Sequence, residues 1–424
     1  MKRWSWMCCA LLLAACTQDS PTEAGGGLLP PDAIRTFEVI LPAERFLVRD
    51  TSFGLYASEP VFADFTIIAN EYRGAVNSRV LLRYAIPSAV TVTDTLGVAR
   101  VDSMPSFVGG RVRVLIDTLA STPRPTILEL YQNTETWDRL SATWTHRVDT
   151  TGASIPWTVP GGSPGALIGS GVWTEGDSVF VPVDSATIAL WSDTIANPEA
   201  GAILVSATAD TRLRTVIPTL RLDVRSTLNP DTLFEIVLAP TRTFIFEPIQ
   251  PDSVPEPRIG GTPSWRTMLQ LRERLDTITV PCPGAPGCMV QLGDVNINYA
   301  ALVLQPVPAP TGFEPEISLV LTLHAVLTSP EVPLQRSPVS APVGFALSSL
   351  PPSSFLTPGA PPVELPATDF FRLVLSEPDS AVGFVPSTLA LLHGGSPQAF
   401  GIGTFEEMPG LRLIITQATE LRTP

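Results

Sequence analysis

The chain has 424 residues, 44% of them apolar and 16% charged, with 41 acidic side chains against 27 basic ones and a net charge of −14. Such an excess of carboxylates repels nucleic acid, and because Lys2 is the only lysine, no mature lysine remains for a Schiff base, a pyridoxal linkage or a phosphate loop. The 44 prolines and 30 glycines break the chain into short Val-, Ile-, Leu- and Thr-rich runs, the pattern of an all-β sandwich or barrel.

Met1-Lys2-Arg3 and the apolar run through Leu13 have the order of a secretory signal, too short to span a bilayer. Leu13-Ala14-Ala15-Cys16 resembles the bacterial lipobox. That resemblance implies removal of residues 1–15, acylation of Cys16 and a stable membrane anchor, since two or three acyl chains hold where one does not. Residues 16–33, rich in Ser, Thr, Gly and Pro, read as a flexible tether. Thr17, in place of Asp, directs such a protein to the outer membrane under the enteric sorting rule; the periplasmic and cell-surface faces both stay open. Losing Lys2 and Arg3 with the signal takes the mature charge to about −16.

The stretch Phe37-Glu38-Val39-Ile40-Leu41-Pro42-Ala43-Glu44-Arg45 returns as Phe234-Glu235-Ile236-Val237-Leu238-Ala239-Pro240-Thr241-Arg242. In both copies Phe, Val or Ile, and Leu alternate with outward residues, the two-residue period of a half-buried strand. Further strands are expected at 63–69, 78–86, 112–117, 126–131, 178–183, 200–207 and 218–224. The last, Leu220-Arg221-Leu222, has a twin in Leu411-Arg412-Leu413, and Arg79 to Tyr84 has one in Arg266 to Leu271. The duplication predicts two tandem jelly-roll-like antiparallel β-sandwiches, 34–228 and 229–424, joined at Asn229-Pro230-Asp231 and in contact with each other.

Three segments of the first unit, Ser78-Arg79-Val80-Leu81-Leu82-Arg83-Tyr84, Thr136-Trp137 through Thr143-Trp144, and Val179 through Asp184 with Trp191 following, resemble the DNRLRE-type module of bacterial surface proteins. The resemblance implies a jelly-roll sandwich and, as in some members, acidic-polysaccharide binding. The second unit lacks the paired-tryptophan element and has only Trp265.

Five of the six tryptophans beyond the signal lie between 137 and 191. Trp137, Trp144 and Trp191 sit at motif positions and read as packing residues. Trp157 and Trp173 flank the loop-like Val159 to Gly165 and are the candidates for an exposed sugar-stacking surface. Arg111, Arg113, Arg139 and Arg147 are the cations nearest this segment, with Arg139 and Arg147 the preferred ligand contacts. His146 beside Trp144 reads as a hydrogen-bonded structural residue. Cys282 and Cys288, five Pro, Gly and Ala residues apart in an exported chain, are expected to form a disulfide; metal binding by them would need further soft ligands. No catalytic motif stands out, and neither a cofactor nor a metal is expected. The expectation is a non-catalytic envelope lipoprotein that meets the membrane through Cys16 and binds a polysaccharide or an envelope protein through the first sandwich, with a purely structural role as the alternative and a lyase or hydrolase as the third.

Overall fold

A computed structural model describes residues 34–418 apart from 55–64, 123–124, 151, 200, 249–252, 263, 273–276, 283–284, 328–336, 345–347, 377–387, 396–398 and 408. The signal, Cys16 and the tether lie outside the described residues. The chain is all-β, built from antiparallel sheets packed face to face.

In the first sandwich a four-stranded sheet runs in the order Ser178–Asp184, Ser106–Leu115, Thr219–Arg225, Leu233–Leu238. It packs on a sheet ordered Pro164–Trp173, Thr126–Asn133, Ala202–Ser206, Val76–Arg83, Phe65–Tyr72, Thr211–Val216, with Thr241–Phe246 also paired to Val76–Arg83. Alternation decides what is buried. Val112, Val114, Val181, Leu220 and Leu222 face Val80, Leu82, Leu130 and Leu204 in one core. Each such fully buried side chain contributes about 1.5–3 kcal/mol of transfer free energy.

The second sandwich repeats the plan. Its smaller sheet is Ile34–Leu41, Gly410–Ala418, Asn296–Leu304, Val363–Pro366, and its larger one is centred on Trp265–Leu271, Thr388–His393 and Leu319–Val326, with Leu47–Gly54 on the free side of Trp265–Leu271. A helix follows the corresponding edge strand in each unit, Ser185–Ser192 in one and Thr368–Ser376 in the other. Asp184 caps the first of these by accepting from the Thr187 N–H at 2.8 Å.

The sheets do not follow the halves 34–228 and 229–424, which corrects the expected division. Each opening segment sits in the other unit. Phe37, Val39 and Leu41 lie opposite Ile415, Leu413 and Leu411, while Phe234, Ile236 and Leu238 lie opposite Val224, Leu222 and Leu220. The second strand crosses as well, with Leu47–Gly54 on Trp265–Leu271 and Thr241–Phe246 on Val76–Arg83. The reason is physical. Both segments place the same apolar residues in the same register against the same Leu-Arg-Leu strand, so the pairing energies that reveal the repeat are blind to which copy supplies the strand.

Local patterning located most strands of the first sandwich's two facing sheets. The expected strand 37–48 is interrupted by a four-residue helix, Ala43–Phe46, that buries Ala43 and Phe46. The Pro164–Trp173 strand was not expected because glycine carries no alternation signal. Gly169 and Gly171 are required there, since a Cβ at either would collide with the carbonyl oxygen of Pro182 or Phe180 on the strand packed against it.

A polar and aromatic clasp ties the sandwiches together. Arg212 of the first lies over the edge-to-face rings of Tyr72 and Phe400, 5.4 and 4.8 Å from their centroids, and bonds Glu316 of the second at 2.7 Å. Arg73 packs over the same two rings and bonds the Gly312 carbonyl.

Candidate functional site

The larger sheet of the first sandwich has a second apolar face. Leu81, Ile203 and Ile245 point away from the core, on alternate positions to the inward Val80, Leu82, Leu204 and Phe244, and are covered by Trp137, Ala142, Trp144 and Trp157 from the loop between Thr126–Asn133 and Pro164–Trp173. Ile245 is supplied by the exchanged segment. Outward arginines of the Val76–Arg83 strand hold the loop down. The Arg79 guanidinium lies 4.8 Å from the Trp144 ring and donates to the Gly161 carbonyl at 2.8 Å. Arg83 lies 5.2 Å from Trp137 and donates to its carbonyl.

Within the loop, Glu135 accepts from the Thr158 N–H at 2.9 Å and from the Ser163 hydroxyl, and pairs with Arg147 at 3.5 Å. Burial alone would raise the Glu135 pKa, but the hydrogen bonds and the Arg147 charge outweigh it and hold the carboxyl below its usual range. Asp138 accepts from the N–H groups of Leu140 and Ser141. The loop is thus a built lid with its own small core.

This arrangement corrects the stacking surface expected at Trp157 and Trp173. Trp157 is 5% exposed and donates its indole N–H to the Thr143 carbonyl at 2.9 Å, and Trp173 is 2% exposed and donates to Gly176. They lie in different clusters, one over the outer face of the sheet and one between the sheets. Each indole found both an apolar pocket and a carbonyl acceptor, which removes the reason to remain at the surface. Trp137, Trp144 and Trp191 are buried as the motif reading expects.

The arginines do not converge either. Arg147 is spent on Glu135 and on Thr136, whose hydroxyl and carbonyl both accept from it. Arg139 is exposed on the same loop. Arg111 lies on the smaller sheet across the sandwich, with Arg113 two residues on in the same strand, and Arg111 is bonded to Glu235. His146 bonds the Thr145 hydroxyl at 2.9 Å.

Beside the lid the same outer face opens into a groove of about 510 Å³ lined by Asn70, Asn77, Arg79, Tyr131, Ser206 and Glu247, among others. A shallower depression shares Glu71, Asn77 and Glu247 and adds Arg73 and Asp210. Asn77 organises the floor. Its amide donates to Glu247 at 2.6 Å and its carbonyl oxygen accepts from the Glu71 N–H at 2.7 Å. Tyr131 donates to Glu129 at 2.7 Å, which pushes the phenol pKa up. Glu247 follows the exchanged strand, so the groove is completed by the second half of the chain.

Among the described residues, the non-glycine residues with positive φ are Glu71 at 47°, Arg73 at 55°, Ser163 at 50° and Asp210 at 51°. Glu71 lines the groove, Arg73 and Asp210 line the adjoining depression, and Ser163 precedes Pro164, another groove residue. Each such conformation costs on the order of 1 kcal/mol or more, and its clustering at one place marks a site held in shape by its surroundings. The outward spacing of Asn77 and Arg79, or of Glu129 and Tyr131, was readable as strand alternation. Their meeting with Asn70, Ser206 and Glu247 was not, because those residues arrive from separate strands and from the other half of the chain.

The corresponding outer face of the second sandwich is a smaller apolar cluster of Met268, Val326, Ala390 and Leu392. There Arg266, the twin of Arg79, donates to the Ser337 carbonyl at 3.1 Å, so the arginine keeps its loop-holding role where the tryptophans are gone. Among the described residues no group of three or more His, Cys, Asp or Glu is placed to hold a metal ion, and no helix is long and apolar enough to cross a membrane. No family model, curated protein or solved structure matches the chain.

Proposed function

We propose that the protein is a non-catalytic envelope lipoprotein, anchored through Cys16 in the outer membrane, whose first sandwich binds a hydroxyl-rich, uncharged glycan segment in the groove beside the tryptophan lid. The observation that carries this reading is the groove itself, an open cleft of about 510 Å³ in which amides, a phenol and a carboxylate are held on rigid strands. Such groups accept from and donate to vicinal hydroxyls, and Tyr131 offers an aromatic edge for the apolar side of a ring. An uncharged ligand follows from the charges. The mature chain is strongly acidic, Arg79 is committed to Gly161 and Trp144, and Glu71, Asp210 and Glu247 would repel a polyanion.

The likeness to DNRLRE-type modules belongs to the same proposal. It is supported by the placement of its three segments on the Val76–Arg83 strand, the tryptophan lid and the Ser178–Asp184 strand. A Cys282–Cys288 disulfide is also proposed. Thr277–Cys282 and Ala285–Gln291 form one hairpin, and Cys288 does not stand as a free thiol. Peptide mapping without reductant tests the bridge.

Titration of the soluble chain, from Thr17 onward, against neutral and acidic polysaccharides tests the binding. Binding to a neutral glycan that weakens at least tenfold in Asn77→Ala and Glu247→Gln supports the reading, and flat titrations across the panel contradict it. A structural or assembly role is the second reading, favoured by the burial of every tryptophan among the described residues, which leaves little indole surface for a sugar. Co-purification of one dominant envelope protein in the absence of glycan affinity would select it.

A further inference from the structure

The exchange of opening segments leaves each sandwich dependent on a pair of strands that its own half of the chain does not supply. The acceptor recognises little beyond a pattern. It takes three apolar side chains at alternate positions, Phe37, Val39 and Leu41 in one case and Phe234, Ile236 and Leu238 in the other, in the same register against Leu-Arg-Leu. Between them it takes a glutamate, Glu38 at 2.9 Å from Arg412 or Glu235 at 2.7 Å from Arg221. Nothing in those contacts requires the donor to belong to the same molecule.

We propose that a second copy of this chain can supply the donor, so that two molecules exchange residues 34–54 and each completes the second sandwich of its partner. Three features favour this occupant over any other. The donor is the first of the described segments in chain order. Residues 55–64 join it to the rest of the chain. The exchanged dimer also makes the same contacts as the monomer, so no new interface is needed. A donor carried on the same chain as its acceptor has an effective concentration on the order of millimolar, which favours the closed monomer in dilute solution and the exchanged pair where chains fold together at high density. Once formed, either state persists, because interconversion breaks both the pairing with Gly410–Ala418 and that with Trp265–Leu271. This inference stands on strand pairing and is independent of any ligand in the groove.

The Thr36 and Thr416 hydroxyls are 3.1 Å apart on the exposed side of the donor and its acceptor, which makes them a trap. Two full soluble chains with tags of different size, one carrying Thr36→Cys and the other Thr416→Cys, are unfolded, mixed and refolded together at about 200 µM and at about 2 µM, a range approaching the effective concentration of the tethered donor. A mixed disulfide carrying both tags should form in several-fold excess over a mixture of separately folded chains, and should fade at the lower concentration. Equal amounts in the co-refolded and separately folded mixtures would overturn the proposal. Where a cysteine variant fails to refold, the mass of the unaltered chain after the same refolding decides: a dimer that survives dilution supports exchange between copies, and a monomer throughout overturns it.

Discussion

Glu38 and Arg412 form an ion pair at 2.9 Å across 374 residues of chain. Its twin, Glu235 with Arg221 at 2.7 Å, spans 14 residues and occupies the same place in the other sandwich. One short-range pair and one that closes the whole chain are thus the same interaction, used twice by a duplicated sequence whose opening segments have changed places.

The two pairs differ in what surrounds them, which gives a first prediction. Arg412 also bonds Glu364 at 2.7 Å, so Glu38→Lys leaves it one carboxylate partner. Glu235 is shared by Arg221 and Arg111, so Glu235→Lys sets three cations together with Asp223 as the nearest counter-charge, 3.9 Å from Arg111. Exposed ion pairs are worth up to about 1 kcal/mol. Urea unfolding is expected to show a loss below about 1 kcal/mol for Glu38→Lys and a larger one for Glu235→Lys, both shrinking in high salt.

The tryptophans support the fold, and their substitution should be read as stability. Trp173→Ala opens the sandwich core and is expected to cost about 3–5 kcal/mol in chemical denaturation. Trp157→Ala loosens the lid over Leu81, Ile203 and Ile245, so its cost falls at the low end of that range. Loss of glycan affinity with unchanged stability in either variant would contradict this assignment.

Acid sensitivity should centre on Asp102. Its carboxylate accepts from the Ser226 hydroxyl at 2.6 Å, the Met104 N–H at 2.9 Å, and the N–H and hydroxyl of Thr227 at 2.7 and 2.9 Å. The bond from Ser226 leads the causes that bring its pKa down to about 2. A depressed carboxyl stabilises the fold above its unfolded value of about 3.9 and loses that contribution as pH falls through the folded one. Stability should therefore decline between about pH 4 and pH 2, and Asp102→Asn should flatten that part of the curve while lowering the plateau at neutral pH. Denaturant midpoints measured across this range check it.

The clasp between the sandwiches should set their cooperativity. Arg212 is 5% exposed, so Arg212→Ala strands Glu316 and removes one of the two cations over Tyr72 and Phe400, leaving Arg73. Breaking a buried pair costs about 3–5 kcal/mol, and the partial exposure of Glu316 argues for less. Calorimetry is expected to resolve two transitions in the variant where the parent shows one.

Sequence patterning located strands whose alternation is strong, such as Thr219–Arg225, and identified the duplication itself, which alone marked Trp265–Leu271 as a strand. It missed Pro164–Trp173, whose glycines answer to neighbouring carbonyls and not to burial. Exposure was misread at Trp157 and Trp173 because proline and glycine beside a tryptophan suggest a loop, whereas Trp157 belongs to a lid that has a core and Trp173 ends a strand that faces the space between the sheets. The groove was hidden because Glu247 reaches it only through the exchange. The exchange was hidden because Phe37 and Phe234 are equally good partners for either Leu-Arg-Leu strand.

One measurement tests the exchange most directly. In the full soluble chain Thr36→Cys with Thr416→Cys places two thiols across the observed pair, whereas Thr36→Cys with Arg225→Cys places them where they would meet if the opening strand stayed in its own half, as Leu233 meets Arg225. Peptide mapping without reductant should find the 36–416 crosslink within a single chain and no 36–225 crosslink. The reverse result would contradict the account.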